Sequence, residues 1–332
     1  GFTAAALSFG MVAGRIDIRK YILIGVFGTA VTTFLVGIAP GYLMFILAIF
    51  LRGLACGVQG GLGRPLLGHL YSENRGRIYN LRGAVWALGA SAGPLLATVI
   101  LHFGSWRLAY IFMALTFVPV LIMMSRTSLP PSIIKEKTLS FDKFLTMLKN
   151  PIVSLTLVAL FLNVGVEGGF FTWLPYFFSQ HWSQNLGNYA LAGFLAAYVP
   201  GRMLNSWFIR KHHYVPVVGA VAVIVSFLLI LTFYFQPGYF TLVGIILTGL
   251  FISSVFPNLF SLATEAYPEH SGPVNGLIMT FDPLGLSLVP ALMGLIADHY
   301  GITVSMRLLV VPMVGVAITM LVLWRVLQVK NS

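Results

Sequence analysis

The sequence predicts an all-α polytopic membrane protein, a bundle of about eleven helical spans. Three observations lead there. Of 332 residues, 58% are hydrophobic and only 9% charged, whereas a soluble domain carries about a quarter charged residues to clothe its surface. Apolar residues run continuously rather than alternating, so helices and not a β-barrel satisfy the backbone in lipid. Lysine and arginine gather in alternate loops, the mark of cytoplasmic segments. These features exclude a soluble enzyme, a nucleic-acid binder and a disordered scaffold. The net charge of +11 reports basic loops rather than affinity for nucleic acid.

A crossing helix needs ~20 apolar residues. The first run, 1–14, is short for that and closes on Gly14-Arg15. Runs follow at 21–38, 43–70, 78–101 and 107–125, then 152–178, 188–208, 215–234, 239–264, 273–297 and 303–327. Small residues recur every four positions in Gly53/Gly57/Gly61, Gly89/Gly93/Ala97 and Gly193/Ala197/Gly201, the spacing that lets helices pack closely in lipid. Gly89, Gly93 and the adjacent Pro94 are therefore expected to be a packing motif. Between runs lies the polar stretch 126–150. Its Phe141, Phe144, Leu145 and Leu148 sit at helical spacing after Ser140, so it reads either as an interfacial helix or as a solvated linker. The expected organisation is an N-terminal bundle over 1–125, this linker over 126–150, and a C-terminal bundle over 151–332.

With Gly1 outside, fifteen of the twenty basic residues fall in cytoplasmic segments, among them Arg15, Arg19, Lys20, Arg75, Arg77, Lys135, Lys143 and Lys149. The C-terminus is then cytoplasmic and the protein sits in the plasma membrane. The chain also repeats itself. Tyr71, Glu73, Gly76, Gly89 and Pro94 recur as Tyr267, Glu269, Gly272, Gly285 and Pro290, always 196 residues on. Both copies share one direction of charge bias, which predicts parallel, pseudo-symmetric halves. Pairing Gly14-Arg15 with Gly201-Arg202 leaves span 152–178 without a first-half partner. The sequence therefore reads as twelve spans lacking the first, five plus six; eleven spans as such is the other reading.

The motifs carry a resemblance. The loop from Gly10 through Gly14-Arg15-Ile16-Asp17-Ile18-Arg19-Lys20 is similar to the second-to-third-helix signature of the major facilitator superfamily. Gly89-Ala90-Ser91-Ala92-Gly93-Pro94 looks like its fifth-helix signature, and Ser105-Trp106-Arg107 resembles the opening of its sixth helix. The signature's aspartate falls on Gly14, with Asp17 in a shifted position. The resemblance covers essentially the whole chain, beginning at the family's second helix. It implies a secondary transporter with gating residues Gly10, Arg15, Asp17, Arg19, Lys20, Gly201 and Arg202. Within the family, Asn163 through Gly169 with Trp173, Phe256-Pro257 and Tyr267-Pro268 to Gly272 look like the fucose/glucose type of sugar symporter.

Glu167 and Asp282 lie well inside spans, beyond easy reach of headgroup water. A bare carboxylate there is costly, so each must be protonated, paired or turned to a wet cavity. Both are candidates for proton coupling, or alternatively structural carboxylates paired with Arg52, Arg202 or Arg307. Arg52 could neutralise an anionic substrate or pair with a membrane acid. Gln59, Trp86, Asn163, Trp173 and Asn258 supply directional amides and indole faces suited to a sugar, or to interhelical packing. The function expected is proton-coupled transport of a small polar solute by alternating access, with proton-driven export of amphiphiles as the rival. A membrane-embedded enzyme lacks support: the histidines sit near span ends, and no HExxH, GxSxG or P-loop string occurs. Expected partners are the solute, protons and surrounding lipid, without nucleic acid, cofactor or metal, for a chain acting as a monomer.

Overall fold

A computed structural model describes residues 1–12, 16–71, 75–102, 104–127, 146–209, 212–235, 238, 240–267 and 271–331. Arg15 and the core of the expected interfacial helix, Ser140 to Leu145, lie outside the described residues. The helices are α1 (Phe2–Val12), α2 (Ile18–Ile38), α3 (Tyr42–Leu70), α4 (Arg75–Leu101), α5 (Trp106–Arg126), α6 (Pro151–His181), α7 (Gln184–Ala196), α8 (Tyr198–Phe208), α9 (Tyr214–Tyr234), α10 (Phe240–Ile252), α11 (Val255–Glu265), α12 (Ser271–Tyr300), α13 (Ile302–Arg307) and α14 (Val310–Asn331). Nine stretches among the described residues are long and apolar enough to cross a membrane. The two further expected spans appear as the eleven-residue α1 and as the α7–α8 pair.

Prolines set the interruptions. A proline offers no N–H to the carbonyl four residues before it and crowds that turn. Pro200, Pro257 and Pro312 each stand four residues after a break, at Ala196-Ala197, Ser253-Ser254 and Leu308-Leu309. Runs 188–208, 239–264 and 303–327 are therefore each two helices end to end. Starts are fixed by side chains that accept from early N–H groups: Asp17 from Lys20, Ser105 from Arg107, Asn150 from Ile152 and Ser183 from Leu186.

The chain divides into two compact units. One takes in Gly1–Gly83, Leu96–Phe144 and Asn275–Thr280, the other Ala84–Leu95, Leu145–Val274 and Phe281–Ser332. In the first, α3 packs on α1 and α2, and α2 also packs on α5. Glycine makes the closest approach possible: a Cβ on Gly57 would strike the Phe2 carbonyl and Ala5. Ile18, Ile22, Val26, Val58 and Leu62 fill the space between α2 and α3. In the second, α6 packs against α7, α11, α13 and α14, while α9 packs against α10 and α14. Aromatic rings fill its centre, Phe170 stacking on Phe194 at 4.6 Å and Phe177 meeting Phe233 edge-on at 5.5 Å.

The internal repeat extends to contact chemistry. Gly104 and Gly301, at φ 89 and 82, turn the chain into α5 and α13 in the left-handed conformation glycine tolerates. A few residues on, Arg107 donates to the Ala39 carbonyl at 3.2 Å and lies over Trp106. Arg307 correspondingly donates to the Phe233 carbonyl at 3.0 Å and lies over Tyr234. Each arginine thus neutralises the carbonyl end of the preceding packed helix, α2 or α9.

Candidate functional site

A buried polar cluster of the second unit gathers side chains from α6 and α8. Asn163 and Glu167, four residues apart on α6, share one helix face. Asn163 Nδ2 donates to Glu167 Oε1 at 3.0 Å, with Asn163 fully buried and Glu167 8% exposed. On α8, Tyr198, Arg202 and Asn205 follow at intervals of four and three, again a single face. Tyr198 and Arg202 stand close enough to Glu167 to act on its carboxylate, as does Asp282 of α12. The Arg202 guanidinium lies 5.6 Å from the Tyr198 ring centre and 5.8 Å from that of Trp86, within the Ala84–Leu95 segment of the same unit. Tyr198 in turn packs on Trp86 and Phe194.

The cluster thus holds two carboxylates and one guanidinium inside membrane-spanning helices. Arg202 is flanked by aromatic faces, which attract a cation. Asn163 can serve the ionised form of Glu167 through its N–H donors.

Glu167, Asn163, Arg202, Asp282 and Trp86 are brought together. Others of the expected recognition residues are occupied elsewhere. Asn258 of α11 exchanges two hydrogen bonds with Asn205, at 2.9 and 3.0 Å. Trp173 donates its indole N–H to the Pro290 carbonyl at 2.9 Å, pinning α6 to α12. In the first unit, Arg52 Nε donates to Thr33 Oγ1 at 3.1 Å and Gln59 donates to Thr29 Oγ1 at 2.9 Å, forming a polar seam between α2 and α3. Of the expected gating residues, Gly10 falls within α1, Asp17 caps α2, and Arg19 donates to the Ser125 carbonyl at 3.0 Å at the end of α5. Lys20 is exposed. Gly201 lets α8 meet α10, since a Cβ there would strike the Leu250 carbonyl and Ser253. Among the described residues, a Cβ on Gly89 or Gly93 meets nothing within 4 Å, and Pro94 lies within α4.

Sequence reasoning passed over Tyr198 and Asn205. The spacing 198, 202, 205 in an otherwise apolar run was the available signal.

Comparison with known proteins agrees with this architecture. The model of the Major Facilitator Superfamily matches residues 1–281 and 176–332. A glucose/galactose transporter of Brucella abortus is 24% identical over 319 residues, covering 90% of this chain and 76% of that protein. A TsgA homolog of Buchnera aphidicola is 23% identical over 282 residues, covering 82% of this chain and 70% of its own length. Among solved structures, a variant of the E. coli fucose:proton symporter FucP superimposes with a TM-score of 0.68 at 17% identity, covering 95% of this chain and 86% of that one.

Proposed function

The chain belongs to the Major Facilitator Superfamily and is an integral membrane transporter; on that footing we propose that it carries a small polar, sugar-like solute across the plasma membrane, coupled to protons through Glu167. The observation supporting this reading is the buried Glu167, hydrogen-bonded by Asn163 and flanked by Tyr198, Arg202 and Asp282. A carboxyl held this deep in an apolar helix is costly as a bare charge, so Glu167 is suited to taking up and releasing a proton. A proton that enters and leaves with the solute gives such a transporter its driving force. Alternating access lets the same group face each side in turn. The Brucella relative's name and the FucP likeness favour a sugar among polar solutes. In this reading Trp86 offers the ring face on which a sugar stacks. Asp282 is a second coupling acid, and Arg202 sets the charge balance. The loop holding Arg15, Asp17, Arg19 and Lys20 gates the cytoplasmic side.

The test uses the protein reconstituted in proteoliposomes with labelled glucose, galactose and fucose under an imposed pH gradient. Accumulation above equilibrium is expected for at least one sugar, and Glu167→Gln should abolish it while leaving downhill exchange measurable. Gradient-driven accumulation that survives Glu167→Gln removes Glu167 from coupling. Uptake of none of the three sugars removes the sugar reading.

A further inference from the structure

We propose that Tyr198 is the positioning residue that lets Glu167 exist in both protonation states inside the dry core of its unit, an inference that rests on the coupling role just assigned to Glu167. The two states make opposite demands. A carboxylate accepts hydrogen bonds only, whereas a carboxylic acid also carries one O–H that needs a buried acceptor. Leaving either demand unmet in a water-poor interior costs about 1–3 kcal/mol. Asn163 Nδ2 already serves the ionised form at 3.0 Å. It can serve the acid only if its amide turns over to present oxygen.

Tyr198 needs no such turnover. Its hydroxyl is buried, with the residue 1% exposed, and makes no hydrogen bond where it stands, yet it is near enough to Glu167 to act on its carboxyl. A phenol both donates and accepts, and it changes role by rotating one C–O bond. Once the two side chains close to hydrogen-bonding distance, it can therefore donate to the carboxylate or accept from the acid without turning over. The ring is held: Phe194 at 5.4 Å, Trp86 at 6.3 Å and the Arg202 guanidinium at 5.6 Å bear on it. The charged or titratable groups acting on Glu167, among the described residues, are Tyr198 and Arg202 from α8 and Asp282 from α12. Neither Arg202 nor ionised Asp282 can both give and receive a hydrogen bond, which leaves the Tyr198 hydroxyl as the switchable partner.

Infrared difference spectroscopy of the lipid-reconstituted full chain, recorded between acidic and alkaline buffer, reads this without any substrate. The wild type should gain a carboxylic-acid carbonyl band on acidification, and Glu167→Gln should lose it. Tyr198→Phe keeps the ring and its neighbours but removes the hydroxyl. The Glu167 band should persist there, displaced to higher wavenumber because the acid has lost its acceptor. A fluorinated tyrosine at position 198, a weaker acceptor of nearly the same shape, should give a smaller displacement in the same direction. It also keeps the test open if Tyr198→Phe does not fold. A Glu167 band unmoved in the variant that folds overturns the role of Tyr198 and leaves the coupling role of Glu167 standing. The same acid band in wild type and Glu167→Gln overturns the coupling role itself.

Discussion

Asn205 and Asn258 show how much a single side chain carries in this interior. Each amide both donates to and accepts from the other, so truncating one strands a half-buried or buried amide with nothing to replace its partner. Interhelical hydrogen bonds in membrane proteins contribute about 0.6 kcal/mol on average and up to about 1.7, while an orphaned buried polar group costs about 1–3 kcal/mol. Asn205→Ala is therefore expected to destabilise the protein by about 1–2 kcal/mol. Asn205→Leu combined with Asn258→Leu should recover most of that, because no polar group is then stranded. Thermal unfolding in detergent of the wild type, Asn205→Leu, Asn258→Leu and the double variant gives the coupling directly; simple additivity would show that the clasp contributes nothing. Glu167 was legible in the sequence because an acid deep in an apolar run is conspicuous. Asn205 was not, because an amide in a membrane helix says nothing about which helix it will meet. Tyr198 escaped for a related reason: an aromatic ring fits a packing role equally well until its hydroxyl is located.

Helices in this chain meet at glycines, and the consequence depends on what lies opposite. At Gly285 a Cβ would sit 2.5 Å from the Phe161 carbonyl oxygen and 3.3 Å from the Gly165 amide nitrogen; at Gly168 it would sit 3.0 Å from the Leu286 backbone. These are main-chain atoms of α6 and α12, which cannot step aside as a flexible side chain can. At Gly219 on α9 the nearest atom is Met320 Cβ at 3.5 Å, an ordinary contact. Alanine gains about 1 kcal/mol of helix propensity over glycine, and overpacking costs about 1–3 kcal/mol. Gly219→Ala should thus be neutral or stabilising, and Gly285→Ala destabilising by about 1–2 kcal/mol. Unfolding temperatures that move together in the two variants would refute the close crossing. The positions of most helices were readable from apolar run length alone, because lipid demands it. The three interruptions were also written in the chain, at Pro200, Pro257 and Pro312. Hydropathy ignores them because a break in hydrogen bonding leaves the apolar run intact. Which stripes of small residues meet a close neighbour is decided by the facing surface, which hydropathy does not record.

At the scale of the whole chain, the repeat and the charge bias act together. Arg107 and Arg307 make matching contacts, each on the carbonyl end of an earlier helix of its own unit, the pattern expected of parallel repeats. We place Arg19 and Lys20, in the first turn of α2, and the basic cluster from Arg126 to Lys149 on the cytoplasmic side. The alternative orientation would translocate most of the chain's lysine and arginine, against the bias that short loops follow. The lone Cys56, half-buried against Thr29, makes the assignment testable once it is replaced by serine. Gly41, between α2 and α3 with nothing within 4 Å of its Cβ position, takes a cysteine without strain. Thr127, exposed at the end of α5, takes another. In intact cells a membrane-impermeant maleimide should label Gly41→Cys and spare Thr127→Cys until the membrane is permeabilised. The reverse pattern would invert the proposed topology. Labelling of both from outside would contradict an odd number of crossings between α3 and α5, and with it the pairing of the two halves.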